Sequence, residues 1–578
     1  MKKYNYLLLL SAVTAATAFT SCNEDRLDIP QKGVASIEDF YQTDADAESA
    51  LVTVYSDTYD NYAFMGDVTG WNYSPYIALT NWMADDIVMG GSGEGDCEPE
   101  RQYHDFRYNT DLNVIEAGYK AFYRSIHKCN LLLNNTTPDT DVKKRCIAEA
   151  QVMRAYNHLL LAMYWGTPPI VTTVLTGADQ PANAESREAV LDWVVSEIDE
   201  ALATGLLDKA KLGDKNSRYH ITEGFANAIK GKALLWKGDN ASLEAAKAAF
   251  KKVISSGAYK LVDDMQILGH NAGKGNDEII FEFNICPGKD GLQNLGNRGM
   301  GNYPYTVNWR YEFFKGLQDA NTDPRLNMNG WGWVSPSKEW AEALIANDGI
   351  DSKRRKAWFI TYEELLYDII WPSDDPATWT PGKTDFKAKD PSRGLSPNFG
   401  CQYYGNAGYF CWKTVMHDPA DNCHMNWCGS WDANFTIMRY AEVLLMYAEA
   451  CARTNDNDGL KYLNEIQQRA GSAHISSSLT LQEVKNEKWF EMWQDGCRAI
   501  DLIRWGDFET LKTADHTIYI LKDAFDQGAA EHKAVVTVDA GSTFKGKGAG
   551  FKDKYKLLPF PYKVVTLNQG LKQNPGWE

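Results

Sequence analysis

The sequence predicts a mainly α-helical protein that carries a large loop-rich insertion. Apolar residues recur at spacings of three and four along several stretches, as on one buried face of a helix. These stretches come in pairs that are separated by short polar turns. Between about residues 263 and 435 the pattern changes, and Gly, Pro, Asn and aromatic residues become frequent. We therefore expect a helical scaffold that supports a loop-rich region.

Composition restricts the class of partner. The 578 residues include 59 basic and 77 acidic side chains, so the formal net charge is −18. Nucleic-acid binding needs Lys and Arg clustered on one face, so we expect no nucleic-acid partner. The 19 Trp and 30 Tyr exceed what a core obviously needs. This surplus indicates a surface that binds ligands through flat rings.

The N-terminus has the pattern of an exported lipoprotein. Residues 1–21 combine Lys2 and Lys3 with an apolar run that is too short to span a membrane, which indicates a signal peptide. The end of this run, 19–22, resembles a bacterial lipobox, in which the cysteine is acylated and becomes the new N-terminus. We therefore expect lipidation at Cys22, with residues 22–578 forming the mature protein and only lipid holding it to a membrane.

The helical pattern falls into hairpins. The predicted helices are Ile115–Leu133 with Asp141–Tyr164, Ile221–Trp236 with Ser242–Ile254, and Arg439–Arg453 with Gly459–Ala470. A capping box at Thr480 and Glu483 predicts one more helix, to about Trp505. Repeated helix pairs are typical of a tetratricopeptide-like solenoid, here over about 36–260 and 436–510.

The loop-rich region, about 263–435, is the predicted ligand face, because binding residues tend to lie on loops held by a rigid scaffold. An aromatic ring covers the apolar face of a sugar, and amides and charged groups satisfy its hydroxyls. Three clusters have this composition, one of them in the early loop region around 61–108. The candidate glycan-binding residues are Trp82, Trp309, Trp71, Tyr73, Tyr305, Asn308 and Trp331. Core packing is the alternative for each tryptophan.

Catalysis and metal binding are not expected. Asp85 and Asp86 are neighbours in sequence and do not face one another across a substrate, as glycosidase carboxylates must. No His-Glu-x-x-His pair or complete phosphate loop occurs. No cofactor is predicted, although Asp-rich loops leave a structural calcium ion as an alternative. Cys401, Cys411, Cys423 and Cys428 are close enough in sequence to form disulfides, and free buried thiols are the alternative.

Short motifs along the mature chain resemble the SusD/RagB family of outer-membrane nutrient-binding lipoproteins. They occur in the family's order, which makes chance agreement improbable. Besides the lipobox and Asp85-Asp86, the motifs are 148–156 with Tyr164-Trp165-Gly166, Asp323-Pro324-Arg325, 438–450, 464–471, 501–506, Leu558-Pro559-Phe560-Pro561 and Gln573-Asn574-Pro575-Gly576.

The resemblance implies a specific role. Members of the family have four tetratricopeptide-like helix pairs and sit as a lid on a SusC-like TonB-dependent transporter in the outer membrane. The acidic segment after Cys22 resembles the tether of surface-exported lipoproteins, which implies display on the cell exterior. Two functions remain open: capture of a glycan for the transporter, or a RagB-like lid for peptide or another nutrient. Arg154, Arg439 and Glu442 lie in the helical motifs, where we expect them to tie adjacent repeats rather than touch ligand.

Overall fold

The computed structural model describes residues 40–63, 74–89, 98–285, 332–365, 407–415, 433–513, 519–530, 532–538 and 550–578. Most of these residues are helical, which confirms the predicted fold class. The helices are α1 (Asp44–Ala63), α2 (Pro75–Asn81), α3 (Glu98–His104), α4 (Asn113–Asn135), α5 (Asp141–Trp165), α6 (Arg187–Ala203), α7 (Glu223–Lys237), α8 (Asn240–Ser255), α9 (Lys338–Asp348), α10 (Lys353–Trp358), α11 (Tyr362–Glu364), α12 (Tyr440–Arg453), α13 (Leu460–Ala470), α14 (Leu481–Glu491), α15 (Arg498–Trp505), α16 (Glu509–Thr513) and α17 (Tyr562–Leu567).

Local sequence fixes where the main helices begin and end. Side chains of Thr140, Ser186, Thr222 and Asp239 accept hydrogen bonds from the first turns of α5, α6, α7 and α8. Gly238 ends α7 in the left-handed conformation, which a side chain would oppose. The predicted helices up to Ala470 agree with the structure to within a few residues.

The long helices stack in chain order. Helix α4 packs against α1 and α5, α6 packs between α5 and α7, and α8 joins α7 to α12. One apolar core runs through this stack, with Trp165 completely buried in it. The arrangement is the predicted solenoid of helix pairs.

The helix predicted from Thr480 to Trp505 is wrong in one respect. It is two helices, α14 and α15, because the backbone turns left-handed at Gln494 and Gly496. The capping box at its start is also incomplete. The Thr480 hydroxyl accepts from the Glu483 backbone, but the Glu483 carboxylate accepts from Ser476 and His474 instead of returning to the cap.

Short strands join distant parts of the chain. They are β1 (Ile87–Met89), β2 (Ile279–Phe283), β3 (Val334–Pro336), β4 (Phe359–Thr361), β5 (Tyr409–Cys411), β6 (Phe435–Arg439), β7 (Tyr519–Asp523) and β8 (Ala534–Val538). The pairs β1–β3, β2–β6, β4–β5 and β7–β8 are all antiparallel. Among the described helices, none is long and apolar enough to cross a membrane.

Part of the predicted insertion belongs to the core. Helices α9 and α10 lie within 332–365, and their Trp340 and Trp358 are completely buried. The indole N–H of Trp340 donates to the carbonyl of Trp489 at 3.0 Å, and that of Trp358 donates to Phe490 at 3.1 Å. These bonds fasten this part of the insertion to α14.

Candidate functional site

The sequence-predicted site residues divide into two groups. Trp71, Tyr73, Tyr305, Asn308, Trp309 and Trp331 lie outside the described residues, as does the lipidation residue Cys22. The structure therefore leaves these predictions as they stand. Trp82 is described, and its position can be compared with the prediction.

The prediction that Trp82 contacts glycan is wrong. Its side chain is 0% exposed and packs in the main core, so a sugar cannot reach the ring. Trp82 follows α2, whose seven residues are all buried. Its backbone carbonyl lies 2.7 Å from His104 Nδ1, which ties this turn to α3. The apolar run Ile77–Leu79 just before Trp82 was the available sequence signal for burial.

The ends of the early loop segment, 64–73, meet on a group of aromatic rings. The Ser74 hydroxyl donates to the carbonyl of Tyr62 at 2.6 Å and so closes the segment between α1 and α2. The rings of Tyr62 and Tyr76 stack with centroids 4.7 Å apart. The two ends of this segment are therefore held side by side.

The ends of two other segments meet on the same rings. Phe283 and Phe435 are paired across β2–β6, next to the points where the chain enters 286–331 and returns from 416–432. The ring of Tyr76 lies 5.6 Å from Phe435, and that of Tyr62 lies 6.2 Å from Phe283. We call Tyr59, Tyr62, Tyr76, Phe283 and Phe435 the junction cluster.

The pair β1–β3 makes a second junction. Met89 pairs with Val334, so the start of segment 90–97 lies beside the end of segment 286–331. Trp333, in the latter flank, is 7% exposed. The fold thus joins the ends of the early loops to both ends of the middle insertion, and these are the segments that hold the remaining aromatic candidates.

A narrow cavity adjoins the junction cluster between α2 and β6. Its volume is about 80 Å³, which is room for two or three water molecules. Its polar lining is Asn81, Lys413, Thr414, Asn434, Thr436, Arg439, Glu442, Gln494 and Asp495. Ligand pockets in proteins generally exceed about 300 Å³. The cavity on its own is therefore too small to enclose a sugar ring.

A buried carboxyl group, Glu282, holds the β2–β6 junction together. Its Oε1 accepts from Asn434 Nδ2 at 2.6 Å and from the Gly275 backbone at 2.7 Å. Asn434 Oδ1 in turn accepts from the Ile285 backbone at 2.9 Å, so the two flanks of the insertion are bonded to each other. Burial raises the pKa of Glu282 to about 7, although the bond from Asn434 opposes the shift.

A second buried carboxyl group lies at the β1–β3 junction. Burial, with the charge of Asp85 adding to it, raises the pKa of Asp86 to about 8. Asp85 itself forms a two-bond ion pair with Arg498, at 2.7 and 2.9 Å. The Asp86 carbonyl accepts from the Trp493 indole at 3.1 Å. The Asp85-Asp86 motif therefore fastens the start of β1 to α15 and the end of α14.

A buried ion network underlies both junctions. Arg439 pairs with Glu278 at 2.6 Å, with Glu491 at 3.0 Å and with Asp495 at 2.5 Å. Arg469 also bonds to Glu278 and Glu491. Burial alone would raise the pKa of Glu491, but Arg469, Arg439 and Arg354 outweigh it and hold the pKa below the usual range.

The predicted tying role of the helical motifs is confirmed. Arg154 on α5 pairs with Glu197 on α6 and donates to Asn130 on α4 at 2.8 Å. Glu442 on α12 accepts from Lys232 on α7 at 2.9 Å. Each bond joins two helices of the solenoid.

The described cysteines and possible metal ligands give a limited answer. Cys411, like the other described cysteines, is buried and free, whereas Cys401, Cys423 and Cys428 lie outside the described residues. Within the described ranges, no three His, Cys, Asp or Glu side chains are grouped so as to hold a metal ion. The alternative of a calcium ion in the loops therefore stays untested.

The geometry defines a class of protein: a helical-repeat scaffold in which short strand pairs bring the ends of separate insertions together. The chain belongs to the SusD family, whose model matches residues 277–577.

The most similar proteins share the fold at low sequence identity. A SusD-like protein of Bacteroides ovatus is 22% identical, and the alignment covers 86% of this chain and 82% of that protein. The starch-binding protein SusD of Bacteroides thetaiotaomicron is also 22% identical, over 81% of this chain and 79% of its own length. The structure of surface glycan-binding protein A of Bacteroides thetaiotaomicron in complex with laminarihexaose superposes with a TM-score of 0.68. It is 21% identical, and the match covers 92% of this chain and all of that one.

Proposed function

We propose that this protein captures an oligosaccharide or polysaccharide at the cell surface and delivers it to a TonB-dependent transporter of the outer membrane. The observation that carries the proposal is the convergence of segments 64–73 and 286–331 on the junction cluster. These segments contain Trp71, Tyr73, Tyr305 and Trp309. Family membership and the glycan ligands named for two similar proteins support the same conclusion.

The proposed binding set is the sequence-predicted one without Trp82. Its rings would cover the apolar faces of successive sugars, and the Asn308 amide would bond to hydroxyl groups. Trp331 lies just before β3, at the second junction. A glycan that contacts Trp71 and Trp309 together would bridge two insertions, so its recognition depends on the strand pairs that hold their ends.

Location follows from the N-terminus in this proposal. Acylation at Cys22 would anchor the protein in the outer membrane, facing outward, with a SusC-like transporter beneath it. Tethering raises the local concentration of captured glycan at the transporter, so a weak affinity is sufficient. Replacing Cys22 with Ala should move the protein from the membrane fraction to the soluble fraction of cells, without changing its glycan affinity.

The first experiment measures binding of the unlipidated chain, starting at Asn23, to a panel of glycans by calorimetry. Trp309→Ala and Tyr305→Ala should each weaken binding about tenfold, because each loses a stacking surface. Tyr562→Ala is the matched control: this side chain is 61% exposed, and it lies on α17, outside the junctions. The control should bind as the unchanged protein does.

Two results would contradict the proposal. Glycan binding that Trp309→Ala, Tyr305→Ala and a Trp71→Ala variant all leave intact would place the site elsewhere. Binding of peptides from a casein digest, with no binding to any glycan, would favour the RagB-like alternative.

A further inference from the structure

A second surface feature lies at the opposite ends of the same helices. A shallow groove runs between the C-terminal ends of α5 and α7, helix α15 and the tail after residue 550. Met163, Trp236, Ile500, Ile503, Lys556 and Leu558 line it. Trp236 and Ile503 are partly exposed, and Lys556 is exposed. The groove is thus apolar along its length, with a cation at its edge.

The groove is separate from the junction cluster. Tyr156 on α5 and Phe225 on α7 contact each other, and Phe225 contacts Phe281 of β2. Met163 and Trp236 lie seven and eleven residues further along these helices, or about 10 and 16 Å along the axes. A ligand in the groove would therefore not compete with one held by the junction segments.

The tryptophan of the groove is not placed to stack on a sugar. Two guanidinium groups already lie over its ring: Arg187 at 5.6 Å and Arg504 at 5.7 Å from the ring centre. Such cations are held by the negative face of the ring. The exposed part of Trp236 is left as an apolar edge, which suits an aliphatic side chain better than a pyranose.

The two arginines differ in their partners. Arg504 pairs with Glu449 and Asp501, so its charge is balanced within the fold. Arg187 donates from Nε to the carbonyl of Ala162 at 3.1 Å, and no carboxylate pairs with it among the described residues. Burial lowers the pKa of Arg187, and the neighbouring Glu188 only partly opposes this. A largely buried guanidinium normally has a carboxylate partner.

Its position on the helix adds to the imbalance. Arg187 is the first residue of α6, directly after the cap Ser186. The N-terminal end of a helix favours anions and disfavours cations. The contact with Ala162, at the end of α5, offsets part of this cost but supplies no counter-charge. An anion from outside the chain would complete the site.

We propose that this groove docks an acidic, aliphatic segment of a partner protein, with one carboxylate of that segment pairing with Arg187. The aliphatic side chains of the segment lie along Ile500, Ile503 and Leu558, and Lys556 attracts further acidic residues. A peptide fits better than an anionic membrane or nucleic acid, because the net charge of −18 repels an extended polyanion whereas the groove needs a single counter-charge.

The test uses the unlipidated chain from Asn23 and a fluorescein-labelled peptide of alternating Glu and Leu, followed by fluorescence anisotropy. The unchanged protein should bind this peptide and should bind a Gln-Leu peptide at least about tenfold more weakly, since a charge-assisted bond contributes about 1.5–3 kcal/mol. Arg187→Gln retains a donor for Ala162 but removes the charge, and it should weaken binding of the Glu-Leu peptide by a similar factor.

Two further variants separate docking from folding. Lys556→Glu reverses a charge on an exposed side chain and should weaken binding without lowering the melting temperature. Lys252→Gln removes an exposed cation from α8 and should change nothing. Three results would overturn the proposal: no binding by the unchanged protein at 1 mM, equal binding of the two peptides, or equal binding by Arg187→Gln and the unchanged protein.

Discussion

Buried carboxyl groups behave differently in the C-terminal helices and at the strand junctions. In the helices, burial would raise the pKa of Glu491 and Asp501, but neighbouring cations lower it and hold both groups ionised. At the junctions, burial dominates, and the pKa values of Glu282 and Asp86 rise to about 7 and 8. The helices are therefore fastened by ion pairs, whereas the junctions are fastened by carboxyl groups that are partly protonated near neutral pH.

The largest expected effect comes from breaking the ion network. Arg439→Met leaves Glu278, Glu491 and Asp495 short of one cation, and an uncompensated buried charge costs about 3–5 kcal/mol. We expect the free energy of unfolding, measured in urea, to fall by that amount. Lys230→Gln, which removes a more exposed pair with Asp199, should cost less than about 1 kcal/mol. Equal effects of the two variants would mean that the network contributes no more than a surface pair.

The second prediction separates the core tryptophan from the loop tryptophans. Trp82→Phe should lower the free energy of unfolding by about 1–3 kcal/mol, because it leaves a cavity in a fully buried site. Glycan affinity of the folded variant, measured by calorimetry, should stay within about twofold, since no buried ring touches ligand. A large loss of affinity with unchanged stability would return Trp82 to the binding site.

The third prediction concerns pH at the β2–β6 junction. The pKa of Glu282 is higher in the folded protein than in the unfolded chain, so the folded state holds its proton more tightly. Its contribution to stability is complete below about pH 4 and is lost as pH rises through about 7. Glu282→Gln keeps the acceptor for Asn434 and Gly275, and it should raise the free energy of unfolding at pH 8 by about 1–3 kcal/mol relative to pH 4.5.

The network carboxylates should show the opposite slope. Because the pKa of Glu491 is lowered on folding, its contribution is present above the unfolded pKa and is lost as pH falls through the folded value. Urea unfolding from pH 3 to 8 measures both slopes. Parallel pH profiles for the unchanged protein and Glu282→Gln would contradict the assignment of the upper slope to this residue.

The smallest expected effect on stability belongs to the loop aromatics. Trp309→Ala should change the free energy of unfolding by less than about 0.5 kcal/mol, as surface substitutions usually do. Thermal unfolding checks this beside the glycan measurement. A loss of several kcal/mol would show that Trp309 packs in the core, as Trp82 does.

Sequence periodicity was sufficient for the helices and insufficient for the junctions. Helices such as α5 and α7 have local caps and a repeating apolar face, so their bounds could be predicted from neighbouring residues. The break between α14 and α15 was missed because a positive φ at Gln494 has no sequence signal as clear as a glycine. The pairing of Phe283 with Phe435 joins residues far apart in the chain, and no local pattern predicts it.

The site shows the same limit. Trp82 and Trp71 belong to one aromatic cluster in the sequence, and composition alone did not distinguish a ring in the core from a ring on a loop. Glu282 and Asn434 were not predicted at all, because each has its role only through the other. Arg154, Arg439 and Glu442 were predicted correctly as ties, since charged residues on otherwise apolar helices need partners in the fold.

The strand junctions make the insertions exchangeable. Each insertion that ends in a strand pair enters and leaves the scaffold through neighbouring residues, such as Thr361 and Tyr409 at β4–β5. Lengthening a loop whose ends are already fixed costs only about 0.6 kcal/mol per doubling of its length. Insertions of different length and sequence can therefore be substituted at these positions while the helices keep their packing. A lineage can change what such a protein recognises by replacing whole segments between constant strands, and protein engineers can use the same positions as grafting sites.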